Sequence, residues 1–266
     1  MAPSSISAVW NFPLIRQLPH VVKTDGWNWQ AFNDKRDFWI GTDPHHGNSW
    51  LIKLCGRLGA VHEHVYAAFA QSLGICTQSS LFLILDESAL PLQGQWHPDK
   101  IPYNVGLWKF DEHGHDPCGP SCPYNNTEPT INKWPEWGLK NPWDKIEARF
   151  LGYLCGMSEP TQDLITTSHL WVQIDNELMF GSWAFERGKA HDRVITEALR
   201  DPWLNIDGAR NRLRLLCERI TDVSDLEIER IVEIPSAFRC LTQAARLKKY
   251  LRQTRLTASK IRRSLS

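Results

Sequence analysis

The segment from His169 to Phe180 sets the tightest constraint on how this chain can fold. Leu170 to Ile174 is a short apolar run carrying Trp171, Val172 and Ile174, the mark of a buried strand. It stops at Asp175-Asn176-Glu177, three polar side chains at the strand's carboxyl end, before the sequence turns apolar again. Ionised carboxylates beside a core are costly unless a metal ion, a paired cation or several hydrogen-bond donors compensate them. A polar turn closing a strand fits the same residues, so the partners must come from elsewhere in the chain.

The chain has 266 residues, 42% hydrophobic and 23% charged, a globular composition with enough material for one large domain or two lobes. No basic residue precedes Arg16, and the most apolar run, 81–85, is far too short to span a membrane. The expectation is a soluble cytoplasmic protein with no membrane partner. Five of the seven cysteines (Cys55, Cys76, Cys155, Cys217 and Cys240) stand singly in apolar surroundings. They read as reduced core thiols rather than a disulfide framework. The net charge of zero hides a segregation, because nine basic residues and no acid follow Glu233. A basic terminal helix can engage nucleic acid, an acidic protein, or the acidic body of its own chain; a solvated helix docked on its own domain is the plainest reading.

Residues 1–50 read as a hairpin-rich sheet, with turn clusters at 24–26, 33–35 and 41–48. The last of these, from Gly41 through Gly47 to Asn48, is flexible and small enough to lie over phosphates, although most such loops only turn the chain. From Ser49 to Leu54 the sequence alternates, so Trp50, Ile52 and Leu54 share one face and Lys53 sits inside a strand among apolar residues. A linker at 55–60 leads to a helix over 61–73, where Val61, Val65, Phe69 and Leu73 recur every fourth residue and Gly74 stops the run. Glu63 is the only formal charge between residues 61 and 75. A lone carboxylate on an apolar helix after a strand with a lone lysine fits a Lys–Glu pair; a snorkelling lysine and an exposed glutamate fit it too. His62-Glu63-His64 is not a metalloprotease motif, because the second histidine would have to stand where Tyr66 is.

Residues 81–85 read as a buried strand, and from Pro91 to Pro142 the sequence loses periodicity. So long a loop is usually functional or held by something other than a core. His113, His115, Cys118 and Cys122 fall within ten residues of one Gly- and Pro-rich loop and could wrap a structural Zn²⁺; a disulfide or a polar loop with incidental histidines are the alternatives. Asn141-Pro142-Trp143-Asp144 is a helix start, with Asn141 as cap and Asp144 near the positive end of the dipole. The helix it opens ends near Ser158. A loop bearing Asp163 then leads to the 170–174 strand. Further helices are expected over 188–200, from a cap at Asp207 to Ile220, from Ser224 with Glu227 completing a capping box, and from Pro235-Ser236 onward.

This order of elements resembles the HipA-like kinases, relatives of the protein and phosphoinositide kinases. Four islands carry the likeness: Trp50 to Lys53; Val61 to Glu63 with the Ala-rich helix to Gly74; Val172 to Glu177; and Ile231 to Pro235 leading into the basic helix. The resemblance implies an α+β, two-lobed protein-kinase-like fold. Its β-rich N-lobe would be residues 1–90, with the hinge after the 81–85 strand, and its mainly helical C-lobe 91–266, with an irregular insertion at 91–142; the Zn²⁺ reading of that insertion rests on its His and Cys residues and not on the resemblance. It implies an ATP- and Mg²⁺-dependent phosphotransferase acting on a protein hydroxyl, its own included, in a toxin–antitoxin or stress setting. Lys53 would then hold the α- and β-phosphates, Glu63 would aim Lys53, and Gly41 and Gly47 would lie in the loop over the nucleotide. Asp175, with Asn176 beside it, would hold Mg²⁺, and Asp163 would accept the proton of the attacking hydroxyl. The family's catalytic loop reads approximately Asp-Arg-His-x-x-Asn, whereas Leu164, Ile165 and Ser168 follow Asp163 in the corresponding places. That departure keeps open a nucleotide-binding pseudokinase, or a non-catalytic module whose basic C-terminal helix engages a protein or nucleic acid.

Overall fold

The structure, a computed structural model, describes residues 21–23, 26–31, 38–42, 44, 49–53, 56–77, 80–84, 103–108, 140–157, 162–165, 171–174, 179–180, 190–233 and 241–265. Six strands form one sheet: β1 (Val21–Lys23), β2 (Asn28–Ala31), β3 (Phe38–Thr42), β4 (Ser49–Lys53), β5 (Ser80–Ile84) and β6 (Tyr103–Trp108), in the order β1-β5-β6-β4-β3-β2. β2, β3 and β4 run as an antiparallel meander, β6 lies between β4 and β5, and β1 pairs parallel with β5 at the edge. The alternation seen from Ser49 places Trp50 and Ile52 in the core, joined there by Trp27 and Trp39.

β6 is a correction. It falls inside 91–142, where an irregular insertion was expected, yet it supplies a central strand. Tyr103, Val105 and Leu107 alternate with Asn104, Gly106 and Trp108, a short period-2 signal enclosed by Pro-rich sequence. The last strand of the sheet is therefore β6 rather than the 81–85 run, and a boundary at residue 90 would cut through the sheet.

Between β4 and β5 the chain crosses as helix α1 (Gly56–Ser72), which packs against β5 and β6. It begins one turn and more before the expected start, so the supposed linker is helical. Two glycines there, Gly56 and Gly59, each disfavour helix by roughly 1 kcal/mol, and docking on the sheet overrides them. The expected stop is in place: Gly74 has φ +77°, its N–H bonds the Gln71 carbonyl, and the Ile75 N–H reaches back to Ala70. This closes the helix by a Schellman turn, for which only glycine takes the left-handed backbone without strain. Ala60, Tyr66, Ala67 and Ala70 are buried along with the Val61, Val65, Phe69 and Leu73 face, so α1 is enclosed nearly all round.

The helical part comprises α2 (Pro142–Leu154), α3 (Ala190–Arg200), α4 (Ala209–Asp222), α5 (Asp225–Ile231) and α6 (Leu241–Ser264), with a 3-10 turn at Pro202–Asn205. α2 ends in a second Schellman turn at Gly156, φ +65°, slightly before the expected Ser158. A two-stranded ribbon, β7 (Gln162–Ile165) and β8 (Trp171–Ile174), lies against α2. Ser224 caps α5 by accepting from the Glu227 N–H, as the capping box implied. α4 starts from Gly208 at φ +81° rather than from a cap at Asp207, and the Trp143 ring packs beside that glycine. The core is continuous from Val61, Phe69 and Ile75 to Ile146, Phe150, Leu213, Leu216, Leu251 and Ile261.

The basic helix α6 docks on its own chain. Leu247, Leu251, Thr254, Ala258 and Ile261 form its buried stripe. Lys248 pairs with Glu229, Arg252 with Asp225 and Glu229, Arg255 with Asp225, and Arg262 with Glu218. Among the described residues, no helix is long and apolar enough to cross a membrane.

Candidate functional site

Lys53 is the last residue of β4, in register with Phe38 on β3 and Val105 on β6, so the lysine-bearing strand runs through the middle of the sheet. Glu63 lies about two turns into α1 and is fully buried, with His64 beside it nearly so. An enclosed carboxylate must be compensated, which removes the exposed-glutamate reading of this residue. Gly41 sits in β3 opposite Trp29 and Trp50. A Cβ there would fall 2.8 Å from the Trp27 ring, so this glycine has a packing reason to lack a side chain.

Asp163 is not on a loop. It is the second residue of β7, paired with Gln173 on β8, and the strand corrects the expectation of a loop feeding into 170–174. Leu164 and Ile165, read as departures from a catalytic loop, are strand residues paired with Val172 and Trp171. Asp175, Asn176, Gly47 and the loop bearing His113, His115, Cys118 and Cys122 lie outside the described residues. Among the described residues, no three His, Cys, Asp or Glu side chains gather into a possible metal site.

Of the residues that hold β8 in place, Asn141 and Asp144 stood out in the sequence only as a helix start, and Cys76, Thr77 and Gln173 in no such role. The side chain of Asn141 accepts from the Trp171 N–H and donates to the Trp171 carbonyl, both at 2.8 Å, so it mimics a strand neighbour rather than capping α2. It also donates to Asp144 at 2.9 Å. The same Asp144 oxygen accepts from the Cys76 N–H at 3.0 Å, and burial pushes this carboxyl up from 3.8 to about 6. The Gln173 N–H bonds the Cys76 carbonyl and the Thr77 hydroxyl donates to the Gln173 carbonyl, each at 3.3 Å. Thr77 and Gln173 form a parallel β-bridge. The segment that leaves α1 is thus stitched to the strand that leads to Asp175.

Two further contacts tie α1 itself to this strand. The Tyr66 hydroxyl donates to the Gln173 side-chain oxygen at 3.0 Å, with both residues buried; burial raises the phenol well above its ordinary value, and Cys155 and Glu63 add to the effect. Phe180, later in the sequence, also meets α1: its ring lies edge-on to His62, Tyr66 and, from α6, Tyr250. Phe180 has φ +61° and its N–H bonds the Cys155 carbonyl at 2.7 Å. A bulky residue in the left-handed region is strained and persists only where its surroundings fix it.

The far end of α1 is also fixed. Arg219 of α4 donates to the Leu73 carbonyl and to Glu147 of α2, a buried carboxylate that Arg212 approaches at 3.8 Å. Arg212 lies over the Trp143 ring, 5.1 Å from its centroid.

No protein-family description and no curated sequence matches this chain. Among solved structures it is similar to the crystal structure of a Helicobacter pylori proinflammatory kinase, CtkA, with a TM-score of 0.67 and 9% identity, covering 92% of this chain and 98% of that one. At this identity the likeness speaks to backbone architecture alone. The chain has a kinase-like fold.

Proposed function

We propose that the chain is an ATP- and Mg²⁺-dependent phosphotransferase, two-lobed and of the HipA-like class, acting on a protein hydroxyl. One observation carries this reading: in a kinase-like fold, the lysine strand runs through the sheet and the helix packed on that sheet bears a fully buried glutamate. Lys53 would engage the α- and β-phosphates and Glu63 would hold it there. Asp175, one residue past β8, suits a hard cation, with Asn176 as a second oxygen donor. Bound Mg²⁺ would supply neutralisation of charge on the transferring phosphate.

The register of β7 sharpens one role. Asp163 faces Gln173 across the ribbon, and Gln173 is two residues before Asp175. In a pleated ribbon, alternate residues share a face, so a second carboxylate oxygen for the same cation fits Asp163 better than a base on a loop. The proton-accepting role then has no residue among those described. That point favours a second reading, a protein that binds nucleotide and does not transfer phosphate.

Transfer of γ-phosphate to the protein itself or to an added lysate separates the two. The phosphotransferase reading expects labelling that Lys53→Ala and Asp175→Ala both abolish. Equal, negligible labelling by wild type and Asp175→Ala, across several divalent metals, would leave the binding module standing.

A further inference from the structure

We infer that Tyr66 is a positioning residue, which ties the helix bearing Glu63 to the segment bearing Asp175; this rests on the nucleotide-site reading above. Residues 175–178 are flanked by two fixed points, and both are held against α1. On the near side, Gln173 accepts the Tyr66 hydroxyl at 3.0 Å. On the far side, the Phe180 ring lies edge-on to Tyr66, with centroids 6.4 Å apart, and to His62 at 5.8 Å. Tyr66 takes part in both contacts, its hydroxyl in one and its ring in the other. It stands three residues after Glu63, so the two side chains leave neighbouring positions of one helix.

The physical consequence follows from burial. Tyr66 and Gln173 are 0% and 1% exposed, so no water replaces their bond if α1 turns or slides. The phenol also approaches the Ala148 carbonyl, at 3.5 Å and at the limit of a hydrogen bond. A displacement of α1 that carried Glu63 away would therefore break a hydrogen bond between two buried side chains, which water does not reach to replace. The main chain of Gln173 is also held by Cys76 and Thr77, in the segment that leaves α1, so helix and strand are referenced to each other at two places. The helix that bears Glu63 and the strand that precedes Asp175 in sequence are in this way tied by one side chain.

Hydrogen exchange with and without Mg-ATP tests this in wild type, Tyr66→Phe and Gln173→Leu. Tyr66→Phe keeps the ring against Phe180 and removes only the hydroxyl. In the nucleotide-free protein, each variant is expected to speed exchange about tenfold in both α1 and β8, since the bond is shared by the two elements. With nucleotide, Tyr66→Phe should bind within about threefold of wild type while α1 gains little protection. In a transfer assay its kcat should fall about tenfold at unchanged KM for ATP. The inference is overturned if Tyr66→Phe leaves β8 exchange as in wild type, or if α1 protection and kcat match wild type. Should Gln173→Leu fail to fold, the Tyr66→Phe exchange pattern decides alone. A wild-type protein that binds no nucleotide would sink the functional reading instead, and the nucleotide-free exchange would still decide the tie.

Discussion

α1 and α6 are both long helices that must be held against the rest of the chain, and they are held by different chemistry. α1 is enclosed and fixed by hydrogen bonds: Tyr66 to Gln173, away from water, and Arg219 to the Leu73 carbonyl, which is part-buried. α6 is amphipathic; its buried stripe packs on α4, and its exposed side adds ion pairs to Glu218, Asp225 and Glu229. Buried polar contacts are expensive to leave half-made, whereas exposed ion pairs are screened and contribute little. The difference means that α1 has one well-defined position relative to β8, while α6 is located mainly by its apolar stripe. The helix that carries the candidate phosphate-site glutamate is the one with the exacting restraints.

The comparison breaks first at Glu147. Arg219→Ala removes the cation nearest to a buried carboxylate and also uncaps α1. A loss of about 3 kcal/mol is expected in chemical denaturation, because the buried carboxylate keeps only the more distant Arg212. A loss below about 1 kcal/mol would mean that Arg212 alone compensates Glu147.

Asn141→Ala comes next, at roughly 2 kcal/mol, since it leaves the main-chain N–H and carbonyl of Trp171 without their partner. The matching expectation for exchange is faster opening of β8 than of α6.

Asp144 gives a pH signature. Its carboxyl is raised from 3.8 to about 6 in the fold, so the folded state holds the proton more tightly than the unfolded chain does. The stability it contributes is full below about pH 4, is lost as pH rises through about 6, and is flat beyond, a fall of roughly 3 kcal/mol at most. Asp144→Asn keeps an acceptor for the Cys76 N–H and Asn141 and should remove this fall from the stability–pH curve. An unchanged slope between pH 4 and 6 in the variant would assign the proton elsewhere.

The smallest effect is expected on α6. Lys248→Ala and Arg252→Ala should each cost less than about 1 kcal/mol, and 1 M salt should erase the difference from wild type. A cost that survives high salt would show that these side chains act by packing their stems rather than by charge.

The strand around Lys53, the body of α1 and its stop at Gly74, and the strand leading to Asp175 were all legible in the sequence, because each rests on local periodicity or on one glycine. β6 was obscured because its six alternating residues include Gly106 and are enclosed by turn-forming sequence, so its partners on β4 and β5 define it more than its composition does. Asp163 was placed on a loop because Gln162–Ile165 is too short to show a period by itself; pairing with β8 makes it a strand. Asn141 and Asp144 carried a helix-start signature that was correct for α2, yet their side chains serve Trp171 and Cys76 instead. The Tyr66–Gln173 bond spans 107 residues of sequence, and no local pattern encodes such a pair.

The zinc expectation for His113, His115, Cys118 and Cys122 has its own test in the metal content of purified protein, where about one zinc per chain supports it and none removes it. The central claim is that Lys53 and Asp175 belong to one nucleotide site. Calorimetric titration of wild type, Lys53→Ala and Asp175→Ala with Mg-ATP tests it most directly. Binding by wild type, weakened about tenfold or more in both variants, is the predicted result. No binding by wild type, or binding that both substitutions leave unchanged, would contradict it.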